Sequence, residues 1–299
     1  MLSKRFVLVS LAVVVGGCAA AGRRTPPAPE PVAPLRVMSF NLRLNVASDG
    51  ANAWPHRKAW VAKLIRFHAP DAVGVQEALP GMLADLDSLL PEFARIGVGR
   101  RDGRAQGEFS AILYRRDRLA VLEQGTFWLS PTPEQAGSKG WDAAIERIAT
   151  WGRFRDGATG CTYVHLNTHF DHVGERAREE SARLIRERLR TIADGRPAIV
   201  TGDFNTDPRS IPYRVVTRDT IPGAHPPLVD AMLTSRQEHY GPTATWNAFK
   251  AIEPGQRIDF VFVSPSVVVR QHGILPDSWD GRFPSDHLPV LASLGPVCA

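Results

Sequence analysis

Asp203 and Asn205 stand two residues apart where the apolar run Pro197-Ala198-Ile199-Val200 gives way to Thr201-Gly202-Asp203-Phe204-Asn205. A short apolar run opened by Pro and closed by Gly-Asp reads as a buried strand ending at a loop. Residues i and i+2 of a strand share a face, so this acid and this amide would be presented together on the rim of a sheet. Such a pair suits a hydrated divalent cation or a phosphate ester, although an Asx turn after a strand uses the same residues. Repetition gives the pair weight. Asn41, Glu77, His169, and the C-terminal Asp259 with Asp286-His287 also stand at the ends of strand-like runs. Ligand-type side chains gather at strand ends when those ends converge on one site. Phosphate esters resist water because their anionic oxygens repel the nucleophile, so a site for them must supply a cation, a base and charge stabilisation.

The elements that would position these groups follow from periodicity. Strands are predicted over Leu35 to Asn41, Ala72 to Glu77, Arg95 to Val98, Gly107 to Tyr114, Val121 to Phe127, Ile148 to Phe154 and Cys161 to Thr168. After the central strand come two more, Arg257 to Val263 and Ser266 to His272, and Pro289 to Leu294 closes the sheet. A helix begins near Pro55 with Trp60, Leu64 and Phe67 on one face, and another spans about Gly81 to Leu90. Glu175 to Ala193 is the clearest helix, with Ala182, Ile185, Leu189 and Ile192 at three-four spacing. Pro208 to Val216 and Leu228 to Leu233 read as short helices, and Ser130 to Glu146 as a long loop of the kind that often carries function. Strands interleaved with fewer helices, without a repeat or an internal Pro-rich linker, predict one α/β domain.

Ser39-Phe40-Asn41-Leu42-Arg43, Gln76-Glu77, Asn167-Thr168-His169, Gly202-Asp203-Phe204-Asn205, Arg257-Ile258-Asp259 and Ser285-Asp286-His287-Leu288-Pro289 stand in one order along the chain. That order resembles the endonuclease/exonuclease/phosphatase superfamily, which includes DNase I-like nucleases, inositol polyphosphate 5-phosphatases and sphingomyelinases. Phe127-Trp128-Leu129-Ser130 and Thr150-Trp151 resemble its bacterial metal-dependent hydrolase branch. The resemblance implies a DNase I-like four-layer α/β sandwich, two packed mixed sheets flanked by helices, with Mg²⁺ or Mn²⁺ at one end. On that reading the protein is a metal-dependent hydrolase of phosphodiesters or phosphomonoesters, acting by metal-assisted attack of water. Glu77 would be a direct metal ligand, with Asn41 beside it and Asp286 as a further ligand. His287 would bind a phosphoryl oxygen or manage a proton, oriented by Asp259. Asp203 would align or deprotonate the water, and Asn205 would hold it or the phosphate. His169 matches a second histidine of DNase I-like members and would protonate the leaving group. Glu108 and Arg147 are candidates for the substrate side. Asp171 and His172 read as a near-surface loop, and the tryptophans as core. The competing class is a non-catalytic binding lipoprotein on the same scaffold.

The ends of the chain point to a compartment. Lys4 and Arg5 precede the apolar run Phe6 to Val15, the layout of a secretory signal, and Val15-Gly16-Gly17-Cys18 resembles a lipobox. Residues 1–17 are therefore expected to be a leader, 18–34 a Pro/Ala-rich tether from a lipid on Cys18, and 35–299 the folded domain. The protein would be extracytoplasmic, periplasmic or on the cell surface, anchored to a bacterial membrane, and a monomer. Without Lys4 and Arg5 the 36 basic residues fall to 34 against 31 acidic ones, too small an excess to argue for nucleic acid except as a substrate. Nucleic acid, a phospholipid head group, an inositol phosphate and a sugar phosphate all stay open, as does pairing of Cys161 with Cys298.

Overall fold

β-branched and aromatic runs of two to ten residues, separated by polar turns, pair here into two six-stranded sheets. The computed structural model describes residues 33–298 and Leu2; the leader and nearly all of the tether lie outside the described residues. In chain order the elements are β1 (Leu35–Asn41), α1 (Trp54–His68), β2 (Ala72–Gln76), α2 (Pro80–Leu89), β3 (Phe93–Ile96) and β4 (Ile112–Arg115). Then come β5 (Leu119–Trp128), β6 (Ile148–Asp156), β7 (Thr162–His169), α3 (Glu175–Ala193), β8 (Ala198–Asp203) and α4 (Ile211–Thr217). The chain closes with β9 (Val229–Asp230), α5 (Ala231–Thr234), β10 (Asp259–Val263), β11 (Val269–Ile274) and β12 (Val290–Leu294).

One sheet has the order β11-β12-β1-β2-β4-β3 and the other β5-β6-β7-β8-β10-β9. Both are mixed: β1 runs parallel to β2 and β7 parallel to β8, while the other pairings are antiparallel. Strand alternation sends Met38, Phe40, Val73 and Val75 outward against Val61, Leu64 and Ile65 of α1 and Met82, Leu83 and Leu86 of α2. On the other sheet Leu166, Val200 and Phe262 meet Ile185 and Leu189 of α3 and Val215 and Val216 of α4. Val37, Ala72, Ile112, Phe154, Tyr163, Ile199 and Val261 fill the space between the sheets. The layers are helix, sheet, sheet, helix, the four-layer sandwich that the sequence predicts. Each buried Leu, Ile or Phe stabilises this stack by about 1.5–3 kcal/mol.

The space between the sheets changes character along the strands, and this change places the site. Same-face residues read Leu35, Val37, Ser39, Asn41 on β1; Tyr163, His165, Asn167, His169 on β7; Ile199, Thr201, Asp203 on β8; and Val263, Val261, Asp259 on β10. Each series is apolar at one end and polar at the other. Buried polar groups must find partners, and they do: Gln76 Nε2 and Thr201 Oγ1 both donate to Asn167 Oδ1, at 2.7 and 3.0 Å. Asn167 Nδ2 reaches across to the first sheet and donates to the carbonyls of Val75 and Ala111 at 2.9 and 3.0 Å. A Cβ at Gly74 would collide with Thr201 Oγ1 and Asn167 Oδ1, so glycine makes room for this network.

Several local expectations are corrected. Phe67 is 82% exposed, because α1 buries Val61, Leu64 and Ile65 instead, a face rotated from the one predicted through Trp60, Leu64 and Phe67. Only Ile112–Arg115 of the run from Gly107 is strand; upstream, Phe109 makes a single bridge to Ala78. Leu228 to Leu233 divides into β9 and α5 because Asp230 caps the helix, accepting from Met232 N at 3.0 Å. Residues 130–146 form the predicted loop, free of helix and strand.

Cys161, just before β7, is disulfide-bonded to Cys298, just after β12, with a Cα separation of 5.0 Å and a sequence separation of 137. The bond ties the two sheets together at the end remote from the polar one. Replacing both cysteines with serine should destabilise the protein by about 2–4 kcal/mol. Denaturant melts with and without a reductant test this: reduction should lower wild-type stability and leave the double variant unchanged.

Candidate active site

The first sheet contributes Asn41 at the end of β1, Glu77 after β2, and the Ser285-Asp286-His287 loop before β12. Glu77 has φ 58, a left-handed conformation that costs a non-glycine residue on the order of 1 kcal/mol. Its carboxylate is held at both oxygens: Oε1 accepts from Asn41 Nδ2 at 3.1 Å and Oε2 from Leu44 N at 2.9 Å. Arg43 (φ 54) and Asn205 (φ 47) share this conformation, so three residues around one cavity hold backbone strain. Ser285 Oγ donates to the Asn41 carbonyl at 2.7 Å and so ties the two loops.

The second sheet supplies the rest through its register. His169 pairs with Asp203 across β7 and β8, and Asp203 with Asp259 across β8 and β10, so three polar residues lie side by side. His287 comes over from the first sheet. Its Nδ1 is 2.8 Å from Asp259 Oδ2, and its Nε2 is 3.7 Å from Asp203 Oδ2. Asn41 Nδ2 donates to the same Asp203 oxygen at 3.0 Å, and His169 Nε2 lies 3.3 Å from it. Burial pushes the Asp203 carboxyl up from its ordinary value, and the charge of Asp259 adds to the push. Burial opposes the proton on His287, but Asp259 and then Asp203 outweigh it and raise the imidazole to about 10. His287 is therefore an imidazolium at neutral pH.

His169 differs from the expectation of a general acid. Burial, followed by the charges of Arg147 and Arg100, holds its imidazole well below its ordinary value, so it is neutral. When Nε2 accepts from Asn205 Nδ2, 3.0 Å away, Nδ1 carries the hydrogen, and that buried atom has no partner. Asn205 Nδ2 also donates to the Phe170 carbonyl at 3.0 Å. Asn41 sits beside Glu77 as expected, with one lone pair of its amide oxygen in use. Its Oδ1 accepts from Arg43 N at 2.9 Å, which turns its amide nitrogen toward Glu77 and Asp203.

Glu108 and Arg147 lie on the far wall of a cavity of about 280 Å³ that is also lined by Glu77, His169, Asp203, Asn205, Asp286 and His287. Arg100 holds Glu108 bidentately at 2.8 and 2.5 Å, partly offsetting the burial that raises the Glu108 carboxyl. Arg147 is buried, which lowers its guanidinium from its ordinary value, and its Nη2 lies 3.1 Å from His172 Nδ1. Its Nε and Nη1 have no hydrogen-bond partner. Nε does lie 3.7 Å from the buried Asp171 Oδ2, and a buried cation beside a cavity is one that an anionic ligand can neutralise.

Three lining residues, Arg43, His172 and Trp246, are not among the expected site residues, nor is Arg100, which holds the lining residue Glu108. Trp246 is half-buried and edge-on to His287, with ring centres 4.7 Å apart. Asp171, read as near-surface, is 1% exposed and organises the wall, accepting from Val173 N, Gly174 N and Ile145 N at 3.0, 2.8 and 3.3 Å.

Two sets of donors could hold a metal. Ligand atoms of Asp203, Asp259 and His287 lie within 4.8 Å of one another. Within that set His287 Nδ1 and Asp259 Oδ2 are already 2.8 Å apart in a hydrogen-bonding contact, so the pair reads as an acid–base group. Glu77 and Asp286 are the better fit. Asp286 is buried, its carboxyl is raised by that burial and by Glu77, and its one ion-pair contact among the described residues is Arg43 Nε at 3.8 Å. Two carboxylates on one cavity suit a hard, oxygen-preferring divalent ion.

Comparison with known proteins follows the same lines. The model of the Endonuclease/Exonuclease/phosphatase family matches residues 38–287. An endonuclease/exonuclease/phosphatase from Bacteroides vulgatus is 41% identical, with a TM-score of 0.82 over 87% of this chain and 98% of its own. A mannosyl-6-phosphatase of Bacteroides thetaiotaomicron is 38% identical, with a TM-score of 0.82 over 87% of this chain and 99% of its own. An uncharacterized protein of Acanthamoeba polyphaga mimivirus is 25% identical over 228 residues, 63% of this chain; the chain spans only 33% of that protein's length.

Asp171 yields a pH test of the wall. Burial raises its carboxyl, but the N–H groups of Gly174, Ala144, Val173 and Ile145 outweigh burial and hold it at about 2 against an ordinary 3.8. A depressed carboxyl adds stability that is complete above its unfolded value and is lost as pH falls through its folded one, here between about 4 and 2. Asp171→Asn should therefore cost about 2 kcal/mol at pH 7 and progressively less below pH 4, measured by urea melts across that range.

Proposed function

Because the chain belongs to the endonuclease/exonuclease/phosphatase family and is a hydrolase of phosphate esters, we propose that it removes the terminal phosphate of a phosphomonoester, a sugar phosphate foremost, with Mg²⁺ or Mn²⁺ as cofactor. The observation that carries this reading is Arg147. It is a buried cation on the lining of a cavity of about 280 Å³ shared with Glu77, Asp203 and His287. A cation there suits the doubly charged terminal phosphate of a monoester better than the singly charged phosphate of a diester. The mannosyl-6-phosphatase of Bacteroides thetaiotaomicron, 38% identical over nearly its whole length, supports the choice of a sugar phosphate.

A divalent ion at Glu77 and Asp286 would neutralise charge building on the phosphoryl oxygens. The chain's own residues would do the rest. Arg147, a cation on the cavity lining, attracts the non-bridging oxygens, and His287, fixed by Asp259, places its positive charge beside them. Asp203, with its raised carboxyl, takes the proton of the attacking water as the new P–O bond forms. Asn205, anchored by His169 and the Phe170 carbonyl, orients that water. The ester P–O bond breaks and the leaving alkoxide takes up a proton from solvent.

The leader sequence supports an extracytoplasmic protein lipid-anchored through Cys18. A Cys161–Cys298 disulfide is the kind of bond that an oxidising compartment keeps.

The test is phosphate release from mannose 6-phosphate, glucose 6-phosphate, bis(p-nitrophenyl) phosphate and a short DNA, with and without EDTA. Hexose phosphates should be turned over at least about tenfold faster than the diesters, and Mg²⁺ or Mn²⁺ should restore what EDTA removes. Faster cleavage of a diester, or indifference to chelation, contradicts the proposal. His287→Ala should lower kcat by about 10²–10⁴ with the fold intact, and Arg147→Met should act mainly on KM, raising it about tenfold or more.

A further inference from the structure

Arg57, in the first turn of α1, is fully buried, and its charge is met by backbone carbonyls. Its Nε donates to the Asn52 carbonyl at 2.8 Å and its Nη1 to the Pro284 carbonyl at 3.1 Å. Nη1 also donates to the Leu42 carbonyl, and Nη2 to that of Arg43. Trp54 and Phe249 lie 5.2 and 5.5 Å from the guanidinium carbon, each with its ring beneath it. Burial lowers the guanidinium to about 10, opposed by the charges of Asp286, Asp49 and Glu77 at longer range.

The four carbonyls matter for where they sit. Leu42 and Arg43 follow Asn41 directly and lead into Leu44, whose N–H clamps Glu77. Pro284 precedes Ser285 and Asp286. One planar fork therefore spans the loop whose Leu44 clamps Glu77 and the loop that carries Asp286. A guanidinium has five donors in fixed directions, and an ammonium has three on a flexible stem, so lysine cannot reproduce the span.

We propose that Arg57 is a positioning residue for the metal: by holding the carbonyls of Leu42, Arg43 and Pro284 in one plane, it sets the separation of Glu77 and Asp286. This rests on the reading of those two residues as metal ligands. Charge and geometry pull in opposite directions here. A buried cation repels a metal ion, so loss of charge alone would tighten binding. Loss of the fork lets the loops drift from the near-ideal octahedral arrangement that Mg²⁺ demands. The geometric effect governs, because the loop that clamps Glu77 and the loop that carries Asp286 lean on the same group.

The experiment measures Mn²⁺ affinity of the full chain by the electron paramagnetic resonance signal of free Mn²⁺, alongside kcat and KM at saturating Mn²⁺. Variants are Arg57→Lys, Arg57→Met and Ser285→Ala, the last removing the separate bond that ties the same two loops. Thermal melts first establish which variants fold. Arg57→Lys should weaken Mn²⁺ binding at least about tenfold, lower kcat and leave KM within about twofold; Ser285→Ala should weaken binding about threefold. A purely structural role would lower the melting temperature and leave Mn²⁺ affinity unchanged. Affinity within twofold of wild type, or tighter, in a folded Arg57 variant overturns the assignment. Should neither Arg57 variant fold, unchanged affinity in Ser285→Ala overturns it alone. If the wild-type protein itself binds no Mn²⁺, the metal reading of the site fails, and this inference with it.

Discussion

Asn41 Nδ2 donates to Glu77 within its own sheet and to Asp203 on the other, at 3.1 and 3.0 Å. The catalytic arrangement depends on that bridge, because the carboxylates suited to a cation come from one sheet and most of the proton-handling groups from the other. Two sheets packed only through aliphatic side chains fix their spacing well and their lateral register less firmly, since apolar contact has no direction. Hydrogen bonds do have direction. Asn167 adds a second set of them behind the first, tying β7 of one sheet to the carbonyls of Val75 and Ala111 in the other. The polar end of the sandwich is thus where register is specified, and the apolar end supplies the bulk of the stability.

Buried charge gives the site its reactivity and also its structural risk. Asp203, Asp259, His287, Asp286 and Arg147 are all nearly inaccessible, and burial of an ionised group is tolerated only with close partners or a bound counter-ion. His287 is shared between two carboxylates. Arg147 and the Glu77–Asp286 pair are less completely served, and these are the places where substrate and cation would complete the network. The strained backbone at Arg43, Glu77 and Asn205 fits the same picture, since the surrounding bonds hold these residues where the chain alone would not leave them.

The sequence carried the fold and the membership of the site further than it carried the roles. Asp203, Glu77 and Asp259 stood out because polar residues end apolar strand runs, a signal that survives without knowledge of the packing. The β–α order likewise survived, with errors at boundaries and in the rotation of α1, where Phe67 turned outward. Arg57 was invisible. An arginine on an amphipathic helix reads as a solvated face, and its partners are backbone carbonyls, which leave no trace in residue type. Asp171 was misjudged for the same reason, its partners being N–H groups. Arg100, His172 and Trp246 depend on loop conformation, and the Cys161–Cys298 bond joins residues too far apart in sequence for spacing to suggest it. The neutral state of His169 follows from burial and neighbouring arginines, neither of which is a local property of the chain.

The central claim is that the cation sits between the carboxylates of the first sheet, leaving Asp259 and His287 free for proton and charge work. Anomalous X-ray diffraction from crystals soaked in Mn²⁺ tests it most directly. The account places the anomalous peak within bonding distance of Glu77 and Asp286. A peak centred instead among Asp203, Asp259 and His287, or no peak in this cavity, would contradict it.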